Sequence, residues 1–193
     1  NRPGGYGTNS VWDSATNRLW VGVSGGLYQY DPVADTYTLT LARGVGSTAV
    51  NIAIDEIGRK LYRVGGGQTR LIDLSQLTDL AVLTSGDIST IEPVTAPGLF
   101  FDGGRLVGYG KSADGTQGAI HTFDPATGIW TRHTPPDGVF PPAPIRQGVW
   151  KRFFAWNGKY YVINAGNQDV WTCMPPSGGG VPPPLPGPIL HQM

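Results

Sequence analysis

The stretch Ile120-His121-Thr122-Phe123-Asp124-Pro125-Ala126-Thr127-Gly128-Ile129-Trp130-Thr131 decides how this chain is read. An alternating run meets Asp-Pro-x-x-Gly, and a second run leaves through Trp130. Proline fixes its own φ, aspartate hydrogen-bonds the backbone just beyond it, and glycine tolerates a positive φ at the end of the turn. The segment predicts a β-hairpin whose faces are set by the two-residue period of a strand.

The same device returns on both sides of it. Upstream, Asn9–Asp13, Arg18–Val23, Leu27–Asp31 and Tyr37–Leu41 read as four short strands joined by tight turns. Tyr37, Leu39 and Leu41 share one face, with threonines opposite. The order repeats as Asn51–Asp55, Arg59–Val64, Thr69–Leu74 and Leu80–Leu83, and again as Leu99–Asp102, Arg105–Tyr109 and Ala119–Trp130. A fourth unit runs Phe153–Trp156, Lys159–Ile163 and Asp169–Thr172. Leu19, Leu61, Leu106 and Tyr160 are equivalent at spacings of 42, 45 and 54 residues, and Asp31, Asp73 and Asp124 at 42 and 51. Periods of this length with about four strands each predict propeller blades. The expected architecture is all-β: a β-propeller of four antiparallel four-stranded blades, either a closed four-bladed ring or part of a larger propeller.

The blades are expected at about residues 8–43, 48–85, 94–134 and 143–174, between an N-terminal arm, 1–7, and a Pro/Gly-rich C-terminal arm, 175–193. Prolines in that second arm cannot donate to a sheet ladder. The outer strand of the last blade is therefore missing, supplied by the N-terminal arm, or supplied by another chain. An open edge of this kind attracts partners. Trp12, Trp20, Tyr62, Phe100, Phe101, Phe154 and Trp156 are expected to fill the space between blades. Asp13, Asp55 and Asp102, each before the first turn of a unit, are expected to be turn formers.

Val23-Ser24-Gly25-Gly26 followed by Tyr28 and Tyr30, Val64-Gly65-Gly66, and Phe123 with Trp130 resemble the Kelch-type β-propellers. The resemblance is at the level of a repeat over about residues 8–174. Tyr37 stands where the first unit would carry Trp, and the third and fourth units lack the glycine pair. It implies a fold and says little about a function.

Composition bounds the rest. The 193 residues hold 29 Gly and 17 Pro, so the chain turns often. Lys plus Arg (14) balances Asp plus Glu (14), which argues against a nucleic-acid-binding face. No apolar run approaches the roughly 20 residues of a membrane-spanning helix, and no membrane partner is expected. Cys173 is the lone cysteine, so no intrachain disulfide is possible.

No catalytic constellation stands out in the sequence. Galactose-oxidase-like enzymes also carry Kelch blades, but His121, His133, His191 and Cys173 offer no metal-ligand spacing on one strand face. Lys111-Ser112-Ala113-Asp114-Gly115-Thr116 begins like the Asp-box of sialidase-type propellers, with its Gly one position early and no Trp. No paired carboxylates and no Gly-x-Ser-x-Gly elbow appear. We therefore expect no enzyme, no cofactor and no metal. The expected function is an interaction or assembly module that binds another macromolecule, a protein or a further copy, through the open blade edge and the Pro-rich arm. An extracellular, particle-surface or virion setting is expected. The alternative is a carbohydrate-binding or carbohydrate-acting propeller, with Trp150 and Trp156 stacking on sugar rings. The longest insertions nominate Asp114, Asp137 and Arg146, together with Trp150 and Trp156, as contact residues.

Overall fold

The structure is a computed structural model that describes residues 9–23, 26–42, 51–65, 68–83, 99–111, 118–133, 151–164 and 169–176. Among these, the regular elements are all strands. Strands β1 (Asn9–Asp13), β2 (Arg18–Val23), β3 (Gly26–Asp31) and β4 (Thr36–Ala42) form a first sheet in that order. Strands β5 (Asn51–Asp55), β6 (Lys60–Gly65), β7 (Gln68–Asp73) and β8 (Thr78–Leu83) form a second. The third contains β9 (Leu99–Asp102), β10 (Arg105–Lys111), β11 (Gly118–Asp124) and β12 (Ile129–His133). The fourth contains β13 (Lys151–Trp156), β14 (Lys159–Asn164) and β15 (Asp169–Cys173). Every pairing within them is antiparallel between chain neighbours.

The deciding hairpin forms as its residues dictate. Phe123 lies opposite Trp130 and Asp124 opposite Ile129, closing a turn over residues 125–128. The Asp124 carboxylate accepts the Ala126 N–H at 2.8 Å, and Gly128 takes φ 73°. Asp31 and Asp73 hold their turns the same way, accepting the N–H groups of Val33 and Ser75. The last residue before each turn's return strand is left-handed throughout: Asn17, Asp35, Arg59, Leu77, Gly104, Gly128 and Gly158. Two designs share that feature: four-residue turns that end on one left-handed residue, and the two-residue turns 103–104 and 157–158, in which both residues are left-handed. Gly26, at φ 154°, is needed for a second reason: a Cβ there would run into the Leu41 carbonyl.

The sheets bury their faces against one another in three apolar clusters. Trp20 and Leu27 of the first sheet meet Ile52, Leu61, Ile72 and Leu74 of the second. Ala53, Tyr62 and Val64 on the second sheet's other face meet Leu99, Leu106, Phe123 and Trp130 of the third. Val107, Tyr109 and Ile120 of the third meet Phe153, Tyr160 and Val162 of the fourth. The equivalent positions Leu61, Leu106 and Tyr160 thus all point at the preceding sheet. The opening strands pack side by side, β1 on β5, β5 on β9 and β9 on β13. This is a propeller-like row of sheets.

The expectation of four four-stranded blades holds for the first three sheets only. The fourth sheet has three strands among the described residues, in line with a last blade that lacks an outer strand of its own. Pro175 and Pro176 follow β15 after Met174, and with no N–H to offer they do not extend a ladder. A closed ring is not seen either: no comparable packing joins β13 back to β1 among the described residues. The arms at 1–7 and 177–193 lie outside the described residues.

Candidate interaction surface

Because side chains alternate, each sheet offers one face to the sheet before it and one to the sheet after. In the second and third sheets both faces are covered. Among the described residues, no sheet packs on the remaining face of the first or of the fourth sheet, and both faces carry aromatic side chains; on the first sheet that face is open around Trp12, Tyr30 and Leu39 but buried at Val21 and Val23.

On the fourth sheet, Phe154 lies opposite Tyr161 and Tyr161 opposite Thr172, so these share the outer face with Trp156 and Val170. The Phe154 and Tyr161 rings stack at 5.4 Å and 10°, and Trp156 tilts against Tyr161 at 5.9 Å. On the first sheet, Trp12 lies opposite Leu19, Leu19 opposite Tyr30, and Tyr30 opposite Tyr37. Tyr28 and Leu39 extend the same face, and the Tyr30 and Tyr37 rings meet at 4.6 Å. Trp12 (45 %), Leu39 (49 %), Phe154 (37 %), Trp156 (62 %) and Val170 (59 %) are exposed. These exposed apolar groups are gathered on two sheet faces rather than scattered singly over the surface.

This redistributes the aromatic residues expected between blades. Trp20 and Tyr62 are buried between sheets, and Phe100 and Phe101 pack against the clusters on opposite faces of β9. Trp12, Phe154 and Trp156 lie on the two outer faces instead. Strand alternation assigns a residue to a face but does not say whether a neighbour covers it.

The aspartates also divide. Asp55 does act as a turn former, accepting the Gly58 N–H at 2.8 Å. Asp13 does more than shape its turn. It is fully buried and accepts both Arg59 Nη groups, at 2.6 and 2.8 Å, from the second sheet. Thr16 Oγ1 and Trp20 Nε1 also donate to it. The Arg59 guanidinium is the main reason its carboxyl is held down, at about 2. Asp102, also buried, accepts the Tyr160 hydroxyl of the fourth sheet at 2.7 Å. Between the second and third sheets, Trp130 Nε1 donates to Thr69 Oγ1 at 2.8 Å. Each junction between described sheets therefore carries at least one polar tie with a buried partner. At the same strand-ending position the fourth sheet has Trp156, which lies opposite Lys159 as Asp102 lies opposite Arg105. The next residue, Asn157, sits within the turn at φ 47°.

The histidines of the third sheet point to opposite faces. His121 lies opposite Arg132 and is buried, while His133 lies opposite Ile120, with its Nε2 2.7 Å from Thr122 Oγ1. Burial, helped by the charge of Arg105, pushes the His133 imidazole below its ordinary range. Burial pushes the Tyr62 phenol up to about 12. Among the described residues, no three His, Cys, Asp or Glu side chains group as metal ligands would. Of the nominated contact residues, Trp156 ends β13 on the exposed face. Trp150, Asp114, Asp137 and Arg146 lie outside the described residues. Sequence reasoning missed the other members of this face, namely Phe154, Tyr161 and Val170. The signal available was that the fourth unit's alternating face carries no polar residue at Phe154 or Trp156.

No family model matches the chain, and no curated protein matches it. Among solved structures it is similar to a chain of a nidogen/laminin complex, at 11 % identity and a TM-score of 0.55, over 86 % of this chain and 79 % of that one. It also aligns with U3-55K at 11 % identity and a TM-score of 0.48, over 92 % of this chain and 55 % of that one. The first likeness supports a propeller-like all-β fold and no particular repeat family, Kelch included. The second carries no argument.

Proposed function

We propose that this chain is a non-enzymatic, protein-binding module: a propeller-like scaffold that takes a protein partner on the outer face of its fourth sheet. The observation that carries the reading is the exposed cluster of Phe154, Trp156, Tyr161 and Val170. Tyr161 is the counterpart of Trp20 and Tyr62, which are buried against a following sheet. An aromatic group of this kind supplies much contact area with few rotatable bonds. Beside it, β15 pairs on one side only among the described residues, so its other edge can accept a partner strand. The complex named for the nidogen/laminin neighbour is consistent with a protein partner.

The non-enzymatic part rests on where the carboxylates are spent. Asp31, Asp73 and Asp124 hold turn backbones, and Asp13 is taken by Arg59. Each is engaged in structure rather than presented to a substrate.

A photo-crosslinking side chain at position 156, combined with a glycan array, tests the proposal. The expected result is a crosslink to a protein chain and a blank array. Defined sugar binding that is lost in Trp156→Ala, with no protein crosslink, would refute it in favour of a carbohydrate-binding propeller.

A further inference from the structure

We propose that the outer face of the fourth sheet docks onto the outer face of the first sheet of a second copy, repeating between chains the packing that joins sheets within one. The inference rests on the protein-binding reading above and names the partner.

The two faces are the separated halves of an interface the molecule already builds. Between the second and third sheets, Tyr62 packs against Leu106, Phe123 and Trp130. It stacks on Phe101 at 5.6 Å and 8°. Tyr161 is the counterpart of Tyr62. On the first sheet, Leu19, Tyr30, Tyr37 and Trp12 are the counterparts of Leu106, Phe123, Trp130 and Phe101. The ring pairs even match in geometry: Tyr30 meets Tyr37 at 4.6 Å and 32°, and Phe123 meets Trp130 at 5.1 Å and 38°. In the third sheet that pair is 0 % and 2 % exposed, whereas in the first sheet it is only partly covered. Docking would stack Tyr161 of one copy on Trp12 of the next.

The charges agree. At the first junction, buried Asp13 requires Arg59 from the following sheet. At the proposed junction both are replaced together: Trp156 stands at the aspartate position, and Asn17, left-handed like Arg59, stands at the arginine position. The docked faces therefore lack that buried ion pair; the charges that remain beside them are of opposite sign, Lys159 opposite Trp156 on the fourth sheet and Asp35 at the Tyr30 end of the first. The Tyr30 hydroxyl donates to Asp35 at 2.9 Å, so covering its ring need not orphan it. Trp12 and Trp156 are both exposed, so the chain does not itself cover the two faces at these positions.

A head-to-tail contact has a property that tests it. A face on one copy meets a different face on the next, so faults in different faces complement. Light scattering and native mass spectrometry of the full chain should show a multiple of 20.6 kDa. Leu39→Asp or Trp12→Asp, on one face, and Trp156→Asp or Val170→Asp, on the other, should each weaken self-association tenfold or more. All four positions are exposed, so circular dichroism should be unchanged. Mixing a first-face variant with a fourth-face variant should restore a 1:1 dimer. A monomeric wild-type chain overturns the proposal, as do variants that still self-associate or a mixture that does not recover. If the wild type is monomeric but position 156 still crosslinks a different protein, this inference fails while the protein-binding reading stands.

Discussion

Arg59→Ala should cost the fold about 2–3 kcal/mol at neutral pH, and most of that should vanish in acid. The Asp13 carboxylate is fully buried and receives two of its four hydrogen bonds from Arg59. Removing one partner of a buried ion pair costs roughly 3–5 kcal/mol. Arg59 keeps 28 % of its side chain exposed, which places this pair at the low end. The titration gives a similar size: lowering the Asp13 carboxyl from 3.8 to about 2 corresponds to about 2 kcal/mol. The folded value is depressed, so this stability is fully present above about pH 4 and is lost as pH falls through about 2. Urea unfolding followed by circular dichroism, from about pH 7 down to about pH 2, measures the gap between wild type and variant. Arg59→Gly provides an internal control. Arg59 holds φ 53°, and relieving a left-handed residue returns about 1 kcal/mol, so glycine should hurt less than alanine by that amount. A gap under about 1 kcal/mol at neutral pH, or one that does not narrow in acid, would refute the reasoning.

Thr69→Val keeps its shape but leaves buried Trp130 Nε1 without its acceptor, and should cost about 1–3 kcal/mol in chemical denaturation. Leu77→Gly, at an exposed residue held at φ 55°, should raise stability by about 1 kcal/mol, seen as a higher melting temperature. Gly128→Ala, at φ 73°, should lower it by a similar amount, because the same left-handed turn position is then filled by a residue with a Cβ.

The strands and turns were legible because their causes are local. The Asp-Pro-x-x-Gly segment carries its own turn chemistry, and Asp124 and Gly128 do in the structure what those residue types do in any turn. The 42-residue recurrence from Leu19 to Leu61 announced like units facing the same way, and those positions do face the preceding side of their sheets. Asp13 was misread because its turn is visible in sequence, whereas Arg59 lies 46 residues away. The exposed cluster was half legible: Trp156 was singled out as a contact residue, yet both it and Phe154 were also assigned to the space between blades.

What the amino-acid order settled by itself is a chain of short antiparallel strands with acidic turns, built in repeating units of similar inner and outer faces. Period-two alternation and turn propensity act within a few residues, so they can be read along the chain. Which faces are covered was decided only by the packing of sheet on sheet. Tyr62 and Tyr161 occupy the same place in the repeat; one is sealed by a neighbour and the other is not. Burial depends on what lies across the gap, and no local pattern encodes that.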